Sequence, residues 1–307
     1  MKRTVYFLGF ISLLAGEACY HSTELDNSPQ LAFQLRFDPS QERLNNFGEP
    51  AVIPAGHATQ SPFMRSMGIN YIELAPDSVT LLGKGSIVYQ GKEVETGGSK
   101  AIDFENSPQV SQDQIYTKVA LSEIPPGRYE WIRVSVAYQN YDIKFNLKDI
   151  QGVGDLMQQS GTVASFVGYN TYIKNVVPRT KTLTVGGNRP QGFWVFETDM
   201  SQPYAPYNRI FFGQAPAGAT TVVNPLFNTS PIPAGSCVVT GKLTTPLVIT
   251  GKETTDQIMI LSFSTNKSLE WVDDNGNGQL DFYGTAGTPN ERIVDMGIRG
   301  LKVFPSR

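Results

Sequence analysis

The sequence predicts an all-β fold, and three observations carry that expectation. Short stretches alternate apolar and polar residues with a period of two, as half-buried strands do. The chain holds 29 glycines and 20 prolines, which punctuate it at short intervals and suit turns between strands. Charged residues make up only 17% of it, below the roughly 25% of an average soluble protein, which disfavours a solvated helical bundle or a charged disordered tail. The same composition narrows function. A net charge of −3 with no long basic run argues against nucleic acid as the partner. Two histidines and two cysteines leave few ways to build a zinc site or a Ser–His or Cys–His catalytic pair.

The elements follow in chain order, beginning with an address. Lys2 and Arg3 precede the apolar stretch Val5–Ala15. That stretch falls short of the roughly 20 residues a membrane span needs and fits the hydrophobic region of a secretory signal. Gly16, Glu17 and Ala18 then lead into Cys19. Such a segment resembles the signal of a bacterial lipoprotein of the Bacteroidota type. The resemblance implies removal of residues 1–18 and a lipid on Cys19, which becomes the new N-terminus. Gly16 and Glu17 depart from the usual Leu-Ala/Ser-Gly/Ala-Cys pattern, and the alternative is an ordinary signal cut near Ala18. Tyr20, not Asp, follows Cys19, so the resemblance points to the outer membrane. Residues 19–29 are polar and aperiodic and read as a tether. With Cys19 acylated, Cys237 is alone and reads as a buried, inert thiol.

Regular alternation starts with Leu31, Phe33, Leu35 and Phe37. After a Pro/Gly-rich loop, strand-like runs recur at Ile69–Leu74, Val79–Leu82, Ile87–Gln90, Ala101–Phe104 and Ile115–Leu121. Ile124-Pro-Pro-Gly127 makes a tight turn, and Tyr129–Tyr138 alternates behind it, with Ile132, Val134 and Val136 on one face and Arg133 and Ser135 on the other. The run Ile-Pro-Pro-Gly-Arg-Tyr-Glu-Trp-Ile-Arg-Val resembles the strand entry of uncharacterised bacterial surface β-sandwich families. Tyr141–Leu147 alternates again, and Asp149–Gln159 is a candidate short helix weakened by Gly152 and Gly154. Strands are expected at Val163–Val167 and Tyr169–Val177, with a boundary near Thr180. Beyond it come Leu183–Val185 and Gly192–Glu197, a long loop from Thr198 to Gly235, then Cys237–Leu243, Leu247–Thr250, Gln257–Phe263, Leu269–Val272 and Ile298–Phe304. This spacing suggests one or two antiparallel β-sandwich domains, Ig-like or transthyretin-like, over residues 30–180 and 181–307. No long internal repeat points to a solenoid or propeller.

The sharpest motif is Trp271-Val-Asp273-Asp-Asn275-Gly-Asn277-Gly278-Gln-Leu280-Asp281. Ca²⁺ takes six to eight oxygen ligands, and a loop wrapped on itself turns alternate side chains inward. Asp273, Asn275, Asn277 and Asp281 are therefore candidate calcium ligands, Gly278 permits the turn, and Leu280 anchors the loop. The run resembles the calcium loop of the EF-hand and dockerin families at six positions. It departs at the twelfth, where Gly284 replaces the expected bidentate Glu and leaves Glu291 or Asp295 to return a carboxylate. The flanking strands, in place of helices, are a second departure. The same residue types also suit a metal-free Asn/Gly-rich turn.

Aromatics give the second constellation. Trp131 and Trp194 fall in strands and read as core, whereas Tyr204 and Tyr207, in Pro203-Tyr-Ala-Pro-Tyr207, are candidates for stacking on a ligand such as a glycan. His57 lies in a loop with no carboxylate adjacent in sequence, which makes it a surface histidine. The expectation is an exported, lipid-anchored envelope protein with a non-enzymatic structural or binding role and an envelope protein or glycan as partner. The alternatives are a calcium-assisted carbohydrate-binding module and a carboxylate-dependent hydrolase.

Overall fold

The computed structural model describes residues 28–233, 235–284 and 288–306; Cys19 and most of the tether lie outside them. The all-β expectation holds: the described residues form strands joined by turns, with two single-turn 3₁₀ helices and no α-helix. No helix among them is long and apolar enough to cross a membrane. β1 (Gln30–Asp38) buries Leu31, Phe33, Leu35 and Phe37, as alternation predicts. β2 (His57–Gln60) is short, and β3 (Phe63–Ala75) turns back through β4 (Ser86–Gln90) as an antiparallel hairpin. β5 (Glu93–Val94), β6 (Ala101–Asp103) and β7 (Ile115–Ala120) follow.

The organising element is β8 (Gly127–Ile150), 24 residues long. It turns at Val153 into β9 (Gly154–Phe166). The candidate helix at 149–159 is thus a hairpin. Asp149 and Gly152 sit at positive φ, which the glycine takes without strain and which bends the chain back before any helical turn forms. β10 (Asn170–Val176), β11 (Leu183–Pro190), β12 (Phe193–Asp199) and β13 (Ile210–Gln214) come next. β13 lies within the loop expected at 198–235; Ile210-Phe211-Phe212 carries no alternation to announce it. β14 (Val238–Ile249), β15 (Gln257–Ser264), β16 (Leu269–Val272), β17 (Asp281–Tyr283), β18 (Ile293–Asp295) and β19 (Leu301–Pro305) complete the set.

One twelve-stranded sheet runs β13-β12-β9-β8-β14-β19-β15-β1-β7, with β3, β4 and β17 joined through β8. β8 carries four partners because each of its edges is used twice. Along one edge, residues 127–135 pair with β14 and residues 138–150 with β9. Along the other, residues 131–142 pair with β3 and residues 146–148 with β17. The sheet crosses the boundary expected near Thr180, since β8 pairs with β14 and β1 with β15. It is also not purely antiparallel: β1–β15, β14–β19 and β8–β17 run parallel. Parallel neighbours come from remote parts of a chain, and local alternation carries no information about them.

A four-stranded sheet, β11-β10-β6-β5, covers part of the large one. Phe104, Ile173 and Val176 meet Tyr138, Phe166, Phe193 and Val195 in that layer. The main core lies elsewhere, around Phe33, Tyr141, Phe145, Phe263 and Trp271. The third sheet, β18-β16-β2, is the one that places the candidate site.

Arg133, read from sequence as facing away from the buried side of its strand, is completely buried, and so is Glu73 opposite it on β3. Their ion pair measures 3.3 Å. Arg133 also donates to the Thr80 carbonyl and to Ser230, while Glu73 accepts from the backbone of Gly83 and Gly85. A Cβ at position 85 would lie 2.3 Å from the Leu74 carbonyl oxygen, so only glycine fits there. The pair thus pins the 77–85 loop to the sheet. Removing one partner strands a buried charge, so Arg133→Ala should cost about 3–5 kcal/mol in urea unfolding. Arg128→Ala, at a largely exposed side chain paired with Glu130, should cost only about 0–1 kcal/mol. Cys237 is buried, and loss of solvent, with the charge of Asp295 adding to it, pushes its thiol up to about 12. In a Cys19→Ser chain, a thiol reagent at pH 8 should label Cys237 only as fast as the protein unfolds. Rapid labelling of folded protein would contradict this burial.

Candidate functional site

The Asp/Asn loop leaves β16 at Val272 and returns at Asp281, the first residue of β17. Both ends are anchored. Trp271 is 1% exposed, and its indole nitrogen donates to the Gln279 carbonyl at 3.2 Å. Leu280 is buried in the main core, as the sequence predicts. Gly276 and Gly278 both take φ of 71°, the left-handed conformation that glycine adopts without strain.

Within the loop, Asp273 receives the backbone N–H groups of Asn277 and Gly278 at 3.1 and 2.8 Å. The Asn275 oxygen receives Asn277 N–H at 3.0 Å, and the Asn277 oxygen receives Gln279 N–H at 2.7 Å. These bonds turn three side chains toward the loop interior. Opposite them stands Asp281. Its Oδ1 is held by the amide of Asn146 on β8, and its Oδ2 by the amides of Asn275 and Asn277, each at 2.7 Å.

Of the two carboxylates that could return to the loop, Glu291 does so. Just ahead of β18, it reaches back to accept from the Asp274 and Asp281 backbones at 3.2 and 2.8 Å. Asp295 does not return to the loop; it pairs with Arg299 at 2.7 Å and with Thr221. Burial raises the Glu291 carboxyl above its ordinary value, and the charges of Asp281 and Asp273 push the same way. The loop thus gathers negative charge around oxygen donors, the chemistry a hard cation takes. As it stands, no three His, Cys, Asp or Glu side chains among the described residues are arrayed to hold a metal. Two amide nitrogens fill the space beside Asp281 instead. A cation would have to displace them; the side-chain oxygens gathered around the loop are those of Asp273, Asn275, Asn277, Asp281 and Glu291.

Next to this loop the structure makes a pair that local sequence did not show. β2 lies along β16 with His57 opposite Val272, and His57 Nδ1 meets Glu270 Oε1 at 2.6 Å. The other Glu270 oxygen binds Arg43. His57 is therefore a structural partner of a carboxylate 213 positions away, not the isolated surface histidine expected. No hydrogen bond joins it to a serine, threonine or cysteine among the described residues, and Arg43 already holds the carboxylate.

Tyr204 and Tyr207 sit on the connection between β12 and β13, where Ala205–Tyr207 forms a 3₁₀ turn. Tyr207 is well exposed. Neither lines the cleft of about 610 Å³ that opens beside β12, where Tyr169 and Phe227 stand instead. Sequence reading placed Tyr169 in a strand and Phe227 in a loop, and gave no sign that they share a cavity.

No family model matches this chain, and no curated protein or solved structure matches it either. Its chemistry is read from its own residues.

Glu291 gives the loop a pH signature. A carboxyl whose folded value is raised binds its proton more tightly in the fold than in the unfolded chain. It therefore subtracts stability as pH rises from the unfolded value through the folded one. In calcium-free buffer, the melting temperature of wild type should fall with rising pH across that window relative to Glu291→Gln. Parallel pH curves for the two proteins would contradict the crowding of carboxylates at the loop.

Proposed function

We propose that this chain is an exported cell-envelope protein, held to the membrane by lipid on Cys19, with a non-enzymatic structural or binding role. Its all-β body is braced by calcium at the 273–281 loop. The observation that carries the calcium part is the return of Glu291 onto the loop that already presents Asp273 and Asp281. The lipid part rests on the short apolar stretch before Cys19, and the outer-membrane destination on Tyr20 directly after it.

Calcium in this position does structural work. It joins the β16–β18 ribbon to β17, and through the Asn146–Asp281 bond to β8. An exported protein meets millimolar calcium, which suits a site of weak affinity. Titration of chelator-treated protein should give a dissociation constant of about 0.1–1 mM. A raised melting temperature should accompany binding, and both effects should vanish in Asp273→Ala and Glu291→Ala. No heat and no melting shift at millimolar calcium would retire the site. A clickable fatty acid should label the wild-type protein in its native host and not Cys19→Ala. Absence of label, or label that survives the substitution, would retire the anchor.

A further inference from the structure

The cleft beside β12 has features that the calcium loop does not explain. One wall is the turn after β9 and the β11–β12 connection, with Tyr169, Pro190 and Gln191. The other is the chain between β13 and β14, with Pro216, Thr220, Phe227 and Pro233, and Asn46 adds to the rim. Its volume, about 610 Å³, lies within the range of about 300–1,000 Å³ typical of small-molecule sites. No charged side chain lines it.

Two aromatic rings remain open to solvent here, Tyr169 at 38% and Phe227 at 48% exposure. Each is fixed from behind. The Tyr169 hydroxyl donates to Glu93 at 2.8 Å, and Glu93 is itself held by Lys100. Phe227 packs edge-on against Phe47, centroids 4.9 Å apart and planes at 84°. Rings braced in this way lose little freedom when a ligand stacks on them.

The polar lining narrows the ligand further. Pro190, Pro216 and Pro233 contribute no N–H, while Asn46, Gln191 and Thr220 bring side-chain donors and acceptors to the lining. Gln191 uses one amide hydrogen on the Val167 carbonyl, and its oxygen makes no hydrogen bond among the described residues. The same holds for the Asn46 amide and the Thr220 hydroxyl. Asn224 spends its amide on Ser230 and Leu226 and its N–H on the Asn46 carbonyl, so it positions the rim. A side-chain amide offers donor and acceptor side by side, which matches a pair of neighbouring hydroxyls.

We propose that this cleft binds a neutral saccharide, with Tyr169 and Phe227 as stacking faces and Asn46, Gln191 and Thr220 as hydroxyl partners. The proposal rests on the binding role put forward above, and on neither the lipid nor the calcium. Cellohexaose, xylohexaose, laminarihexaose and maltohexaose, titrated calorimetrically into the folded chain, provide the test. Hexagalacturonate and a proline decapeptide serve as comparisons. At least one neutral sugar should bind with a dissociation constant of about 1 mM or tighter. Phe227→Ala and Tyr169→Ala should each weaken it at least about fivefold, as loss of an aromatic anchor does. Tyr169→Phe keeps the ring but loses the bond to Glu93, so it should weaken binding clearly less than Tyr169→Ala, which separates stacking from misfolding. Failure of every neutral sugar overturns the proposal, as does binding only of the acidic sugar or the peptide, or binding that both alanine variants retain. Calcium binding without sugar binding refutes this site alone, and sugar binding without calcium binding refutes only the brace.

Discussion

A strand of 24 residues presents backbone donors and acceptors along both edges, and each buried group needs a partner. β8 meets that requirement by changing partners midway. On one edge the exchange occurs at Val136 and Ala137: Val136 N–H goes to the Cys237 carbonyl, and the Ala137 carbonyl receives Val167 and Gly168. On the other edge β3 gives way to β17. Four strands are therefore fixed by one, three of them (β3, β14 and β17) from distant parts of the chain, and the Asp/Asn loop, the small covering sheet and the cleft all take their positions from it. Such pairing is non-local, so the fold closes long loops before their contacts form.

Where backbone pairing ends, buried charges fasten the connections. Arg133 and Glu73 hold the 77–85 loop. Arg43 and His57 converge on Glu270, and Asp295 with Arg299 grips Thr221. The last contact matters for the cleft, because the neighbouring Thr220 lines it and Met296 N–H binds the Ala219 carbonyl. The segment 291–297 thus touches the 273–281 loop at one end and the cleft wall at the other. These clusters are costly if half-satisfied, which concentrates sensitivity to mutation at a few arginines and glutamates.

Much of the fold was legible. β1 and the two runs that make β8 announce themselves by period-two alternation, and Leu280 and Gly278 take the roles their spacing suggests. What was not legible is of one kind. Arg133 looked outward because alternation assigns a face but cannot say that β3 brings Glu73 to cover it. His57 looked isolated because Glu270 arrives through the β2–β16 pairing. The parallel pairs, the sheet crossing position 180 and the meeting of Tyr169 with Phe227 are likewise long-range facts. Of the two carboxylates considered for closing the loop, only Glu291 comes, because β18 pairs with β16 and sets it beside Asp281 while Asp295 is drawn to Arg299.

The central claim is that the 273–281 loop, closed by Glu291 and tied through Asn146 to β8, is a calcium brace. Hydrogen–deuterium exchange of the folded chain with and without millimolar calcium tests it most directly. Calcium should slow exchange at residues 273–283, at Glu291 through β18, and at the Asn146 amide, which donates to the Leu280 carbonyl. The β1–β15 pair, remote from the loop in the sheet order, should be unchanged. Equal exchange at residues 273–283 with and without calcium would contradict the account.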